Sequence, residues 1–145
     1  MKLIPVDPSN EAHLRALYDL LAERPVEASI SHKKMPTWEE HKEHVAAMTN
    51  PASERAHLDW CLIEGLKPPR VVGSVYLSAN NEIGISIFRQ YQGMWLGPDA
   101  VVMMMMKHGE RNYYANINPA NEASRKMFEK LGFKLIQYTL ALEAK

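Results

Sequence analysis

EIGISIFRQYQGMWLGPDAVVMMMMKHGE, residues 82–110, decides the reading, because a strand, a turn and a helix follow one another in it without a linker. EIGISIF at 82–88 has the apolar, β-branched character of a strand, and RQYQGMWLG then switches to turn chemistry. Pro98 lacks an N–H, a loss that matters little in a first helical turn. Asp99 sets a negative charge near the positive end of that helix. AVVMMMM at 100–106 is too short to span a bilayer, and its four methionines read as a flexible apolar packing stripe in a buried helix.

Working upstream, HLDWCLIEG (57–65) and PPRVVGSVYLS (68–78) are two further strands, and Asn80-Asn81 supplies the hairpin turn into 82–88. These three make a local antiparallel meander. Before them, Thr37-Trp-Glu-Glu40 forms a capping box that opens a helix carrying Trp38, His41, Val45 and Met48, which the NPAS stretch at 50–53 stops. An earlier helix is capped by Ser9 or Asn10, runs to about Glu23 with Leu14, Leu17, Leu20 and Leu21 on one face, and ends at Pro25. MKLIPV at 1–6 is a short edge strand, where Pro5 is tolerated.

Downstream, NYYANIN (112–118) reads as a strand and Asn121 as the cap of a helix through Leu131, with Ala123, Met127, Phe128 and Leu131 on its apolar face. Gly132 fits the left-handed position after that helix and Phe133 its hydrophobic closure. FKLIQYTLAL at 133–142 is the last predicted strand or a compressed pair of strands. The predicted order is β-α-α-β-β-β-α-β-α-β, an α+β chain with no internal repeat, read as one domain over 1–145.

Composition narrows the function. The 145 residues hold 17 Lys plus Arg and 17 Asp plus Glu, a net charge of zero, so no basic stripe points to nucleic acid. Cys61 is the only cysteine, which excludes an internal disulfide. No signal peptide and no membrane-spanning run is apparent, so a cytoplasmic protein is expected, without membrane or nucleic-acid partners. His32, His57 and His108 show no metal-ligand spacing with carboxylates, and no metal is expected.

EIGISIFRQYQGMWLG (82–97) and INPANEASRKMFEKLGF (117–133) together resemble the GCN5-related N-acetyltransferase (GNAT) superfamily, most closely its bacterial small-molecule and ribosomal-protein branches. The resemblance covers nearly the whole chain in element order. It implies a mixed, mainly antiparallel central sheet with helices on both faces and a splayed pair of central strands. It also implies acetyl-CoA as cosubstrate: Ile85, Ile87 and Phe88 would line the acetyl and pantetheine end, and Gln92, Gly93, Met94, Trp95, Leu96 and Gly97 would surround the pyrophosphate at a helix amino terminus. The family pattern has glycine where this chain has Trp95, whose ring would impose a different turn or pack over pantetheine or adenine. Asn121 and Ser124 match family positions near the cofactor, and both also suit helix capping. Phe128 stands where many relatives carry a tyrosine that protonates the departing thiolate.

By the same resemblance the reaction is direct attack of a primary amine, on a small molecule or protein, upon the thioester. Glu82, at the start of the splayed strand, is the expected base. Asn116 replaces a glutamate that amino-terminal acetyltransferases use. Tyr113, Tyr114 and Tyr138 are available in place of the missing acid, and Tyr138 is the one singled out. The loop at HKK (32–34) borders the acceptor in relatives. A non-catalytic acyl-CoA-binding module and a structural domain are the competing classes, the latter requiring Trp95 to fill the cleft. The edge near 133–145 leaves both a monomer and a strand-paired homodimer open.

Overall fold

The structure, a computed structural model, describes residues 1–24 and 34–144. Pro25 and the His32-Lys33 part of the acceptor loop lie outside the described residues. Strand β1 (Lys2–Pro5) leads to α1 (Glu11–Glu23), α2 (Trp38–Thr49), β2 (His57–Gly65), β3 (Arg70–Ser78) and β4 (Ile83–Ile87). A 3-10 turn (Arg89–Tyr91) then precedes α3 (Leu96–His108) and α4 (Glu122–Lys130).

Local chemistry sets the boundaries. Asn10, not Ser9, caps α1 by accepting from the His13 N–H. Both bonds of the Thr37–Glu40 capping box are present at α2, so two otherwise orphaned donors are satisfied. At the end of α4, Gly132 takes φ +99° and the Phe133 N–H returns to the Phe128 carbonyl, while the two phenyl rings meet edge to face at 5.0 Å.

The four strands form one antiparallel sheet in the order β1-β2-β3-β4. The Asn80-Asn81 hairpin fixes the last register: Asn81 adopts φ +65°, and Tyr76 faces Gly84 across the ladder. Alternation then divides the core. Cys61, Ile63, Val75, Leu77 and Ile83 bury one face of the sheet against Ala100, Val101 and Met104 of α3 and Phe128 of α4. Leu62 and half-buried Trp60 face the other way, toward Leu14, Leu17 and Leu20 of α1 and Val45 of α2. The result is the expected α+β arrangement, with helices on both faces. Among the described residues no helix is long and apolar enough to cross a membrane.

Two predicted strands do not form. Residues 112–118 touch the sheet at one parallel bridge, Glu82 to Tyr114, where Tyr114 donates to the Asn81 carbonyl and accepts from the Ile83 N–H. Beyond that residue the segment parts from β4, so no ladder builds. Among the described residues, 133–142 join no sheet ladder, and after Phe133 the chain is exposed to residue 144. A strand needs a partner edge as well as an alternating pattern, and here only the pattern is present.

Candidate functional site

The parting of β4 from residues 112–118 leaves one edge of β4 open. Ser78 and Phe88 donate to the Glu82 and Val72 carbonyls respectively, which marks the even-numbered residues of this stretch as those bonded to β3. The backbone groups of Ile83, Ile85 and Ile87 therefore point to the open edge. Ile83 is used by Tyr114, and the Ile87 carbonyl accepts from the Gln92 side chain at 3.1 Å. The N–H and C=O of Ile85 are left for a ligand that lies along the strand. The Ile85 and Ile87 side chains turn inward against the α3 core, and Phe88 packs with the opposite cluster.

This edge runs into the loop before α3. Gly93 has φ +82° and Trp95 has φ +64°, ψ 11°, a left-handed conformation that a bulky side chain adopts only at a cost. Among the described residues no backbone carbonyl accepts from the N–H of Gly93, Met94 or Trp95. Leu96 and Gly97 open α3, where N–H groups lack intrahelical partners and the helix dipole is positive. Five amide donors thus border one exposed loop, the chemistry that holds a phosphate. Gly97 is buried, and a β-carbon on it would lie 3.4 Å from the Met127 sulfur and 3.6 Å from Ile87 Cγ1, so its small size seats the start of α3 on β4 and α4. The Trp95 side chain stands in solvent, 66% exposed, with the Lys130 ammonium 5.6 Å from its ring centre. It does not fill the cleft.

Glu82 is half-buried at the mouth of the opening, held by its N–H to the Ser78 hydroxyl at 3.0 Å. Beside it the structure places a residue that the sequence reading missed. Tyr76 lies across Gly84, so that a β-carbon there would overlap its ring and hydroxyl; the phenol end thereby lies over the cleft strand. Burial pushes the Tyr76 hydroxyl pKa up, the nearby Arg24 charge opposes that and the Glu82 charge adds to it, so the phenol stays protonated. His57 stacks on the opposite side of the Tyr76 ring, centroids 4.2 Å apart and planes 12° from parallel, and meets Trp60 edge to face. Burial, and then the charge of His44, lowers the His57 pKa to about 4, so it braces Tyr76 as a neutral ring at neutral pH. A glycine inside a predicted strand was the available signal for a close approach, and the hairpin register names Tyr76 as its partner.

Other predicted site residues sit on α4 and on the segments that flank it. Tyr138 is 82% exposed on the segment that follows Phe133. Phe128 is 3% exposed inside the α3–α4 core, where it packs against Phe133. Asn121 caps α4 by accepting from the Ser124 N–H at 3.2 Å, so these two residues satisfy each other. Tyr113 ties its hydroxyl to the Met105 and Gly109 carbonyls.

Cys61 is buried and its thiol donates to Asp59, which also takes Lys107 at 2.7 Å and His108 at 2.8 Å. Burial, then the Asp59 charge, pushes the Cys61 pKa up to about 12, so this strap between β2 and the end of α3 holds no nucleophile. His41 is buried with its ring bonded to the Leu14 carbonyl, which accounts for it as packing between α1 and α2. A hollow of about 350 Å³ lined by Pro8, Ser9, Glu11, Leu14, Trp38 and Lys42 lies at the starts of α1 and α2 and contains none of the cleft residues. Among the described residues no cluster of His, Cys, Asp and Glu could hold a metal ion.

Comparison with known proteins bears on the family and the fold. The family model described as Acetyltransferase (GNAT) domain matches residues 3–134. The crystal structure of YycN from Bacillus subtilis, provisionally described as an acetyltransferase, superposes with a TM-score of 0.62 at 16% identity. That match covers 99% of this chain and 98% of the other, a likeness of fold. No curated protein matches the chain significantly.

Proposed function

The chain belongs to the GNAT acetyltransferase domain family, whose chemistry in general is acyl transfer from acetyl-CoA, and on that premise we propose that it moves the acetyl group to a primary amine of a small molecule or protein. The observation that carries this reading is the continuity of the open β4 edge with the amide donors of Gly93 through Gly97. The edge suits the amide-bearing pantetheine arm, which would use the N–H and C=O of Ile85 as an added strand would. The loop suits the pyrophosphate, and the exposed Trp95 ring beside it offers a stacking face for adenine.

Glu82 accepts the proton of the attacking amine, directly or through one water. The nitrogen lone pair forms the new C–N bond as the C–S bond breaks, and the sulfur leaves with its electron pair. Tyr76, kept protonated and held over Gly84, gives the proton that the sulfur takes up. Donors fixed along the open edge stabilise the oxyanion charge of the transition state without reorganising. This assigns to Tyr76 the acid role expected of Tyr138.

Isothermal titration calorimetry with acetyl-CoA, coenzyme A and adenosine diphosphate tests the cofactor half of the proposal. Saturable acetyl-CoA binding is expected, with adenosine diphosphate weaker because it lacks the pantetheine arm. Absence of binding by folded protein at millimolar acetyl-CoA removes the proposal. A discontinuous thiol-release assay across amine acceptors then tests transfer.

A further inference from the structure

We propose that Glu23 is a positioning residue for the cofactor loop, holding from the end of α1 the turn through which β4 passes into that loop. Glu23 and Arg89 are 66 residues apart in the chain, and the fold sets them against each other. The Arg89 N–H donates to the Glu23 carboxylate at 3.0 Å, and the Arg89 guanidinium donates to the Glu23 backbone carbonyl at 3.2 Å. Each side chain thus grips the other's backbone.

Each half supplies what the other element lacks. The 3-10 turn Arg89–Tyr91 begins at Phe88, which makes no side-chain capping bond, so the Glu23 carboxylate satisfies a donor that the turn leaves orphaned. Helix α1 carries no basic residue in its last turn, where carbonyls lack partners and the helix dipole is negative, and Arg89 brings a cation there. An ordinary surface ion pair, joined only at the side-chain tips, would do neither.

Only Gln90, Tyr91 and Gln92 separate the held Arg89 N–H from Gly93, where the left-handed stretch begins. Side chains fix the turn on two sides, Phe88 in the α1–α2 cluster and Tyr91 against the α3–α4 core. Glu23 fixes the backbone between them. Downstream, the N–H groups of Gly93, Met94 and Trp95 have no backbone acceptor among the described residues, and Gly93 and Trp95 keep φ values of +82° and +64°. Backbone in such conformations holds its shape only where the neighbouring structure dictates it. The turn is that neighbour on the β4 side. A loosened Arg89 lets the pyrophosphate donors spread before the cofactor arrives, and binding must then order them. The inference rests on the acetyl-CoA reading of this loop.

The test is calorimetric titration of coenzyme A and of adenosine diphosphate into wild type, Glu23→Ala and Glu23→Gln. Removing a negative charge near a bound pyrophosphate would by itself tighten binding in both variants. The positioning role predicts the opposite sign and a split between them. Glu23→Ala should bind both probes more weakly, on the order of tenfold, while Glu23→Gln, whose amide oxygen accepts the same N–H, stays within about threefold of wild type. Melting temperatures should agree within about 2 °C, since the bond lies at the surface. In the free proteins, exchange of the Arg89 amide followed by nuclear magnetic resonance should be faster, on the order of tenfold, in Glu23→Ala and near wild type in Glu23→Gln. Glu23→Ala binding as tightly as wild type, or Glu23→Gln losing as much as Glu23→Ala, overturns the inference while wild-type binding keeps the acetyl-CoA reading. Wild type that binds neither probe removes both.

Discussion

Replacing Trp95 with glycine should move stability and cofactor affinity in opposite directions. At φ +64° and ψ 11° the tryptophan backbone is left-handed, a conformation that costs an L residue roughly 1–2 kcal/mol and glycine almost nothing. Against that relief stands the lost contact with Lys130, 5.6 Å from the ring and open to solvent, worth about 0.5 kcal/mol. The free variant should gain roughly 0.5–1.5 kcal/mol, about 2–5 °C in melting temperature for a chain of this length. If the ring stacks on adenine, coenzyme A loses about 1–3 kcal/mol of binding, or roughly 5- to 150-fold in Kd. Calorimetry of the free proteins measures the first effect and titration with coenzyme A the second. Phosphopantetheine, which lacks adenine, should bind both proteins alike, and Trp95→Phe should retain most of the coenzyme A affinity. A variant that melts lower than wild type shows that the left-handed turn is not strained. One that binds coenzyme A as tightly as wild type removes the stacking role.

Glu82→Gln should lower kcat by about 10²- to 10⁴-fold and leave coenzyme A affinity within a factor of a few, since only proton acceptance is lost; an unchanged kcat would assign the base elsewhere. Tyr76→Phe keeps the ring that packs on His57 and Gly84, so a fall in kcat at an unchanged melting point would support the acid role, and full activity would return Tyr76 to packing. His57 titrates near 6.5 when unfolded and at about 4 when folded, so the unfolded chain binds the proton first. Its contribution is full above about pH 6.5 and is lost as pH falls toward 4, at most about 3 kcal/mol and about 2 once its partial exposure is allowed for. Urea midpoints at pH 7 and pH 4.5 should therefore fall further for wild type than for His57→Gln, and equal falls would show that the His57 proton is not linked to folding.

Interactions that close within a few residues were legible in the sequence. The Thr37–Glu40 box, the Asn121 cap, the Asn80-Asn81 hairpin and the Gly132–Phe133 closure each satisfy their own backbone groups, so each holds wherever the rest of the chain goes. Strands at 112–118 and 133–142 were misread because a ladder depends on a partner edge that the segment itself does not specify. The same distinction runs through the site. The loop from Gln92 to Gly97 was readable as a cluster of local donors, whereas the contacts of Tyr76 with Gly84 and His57 exist only once the β3–β4 register lays the phenol across Gly84. Phe128, matched by family pattern, carries an apolar ring that packs in the core against Phe133. Measuring Tyr76→Phe alongside Phe128→Tyr separates the two positions, because only the residue that faces the sulfur can change kcat without changing stability.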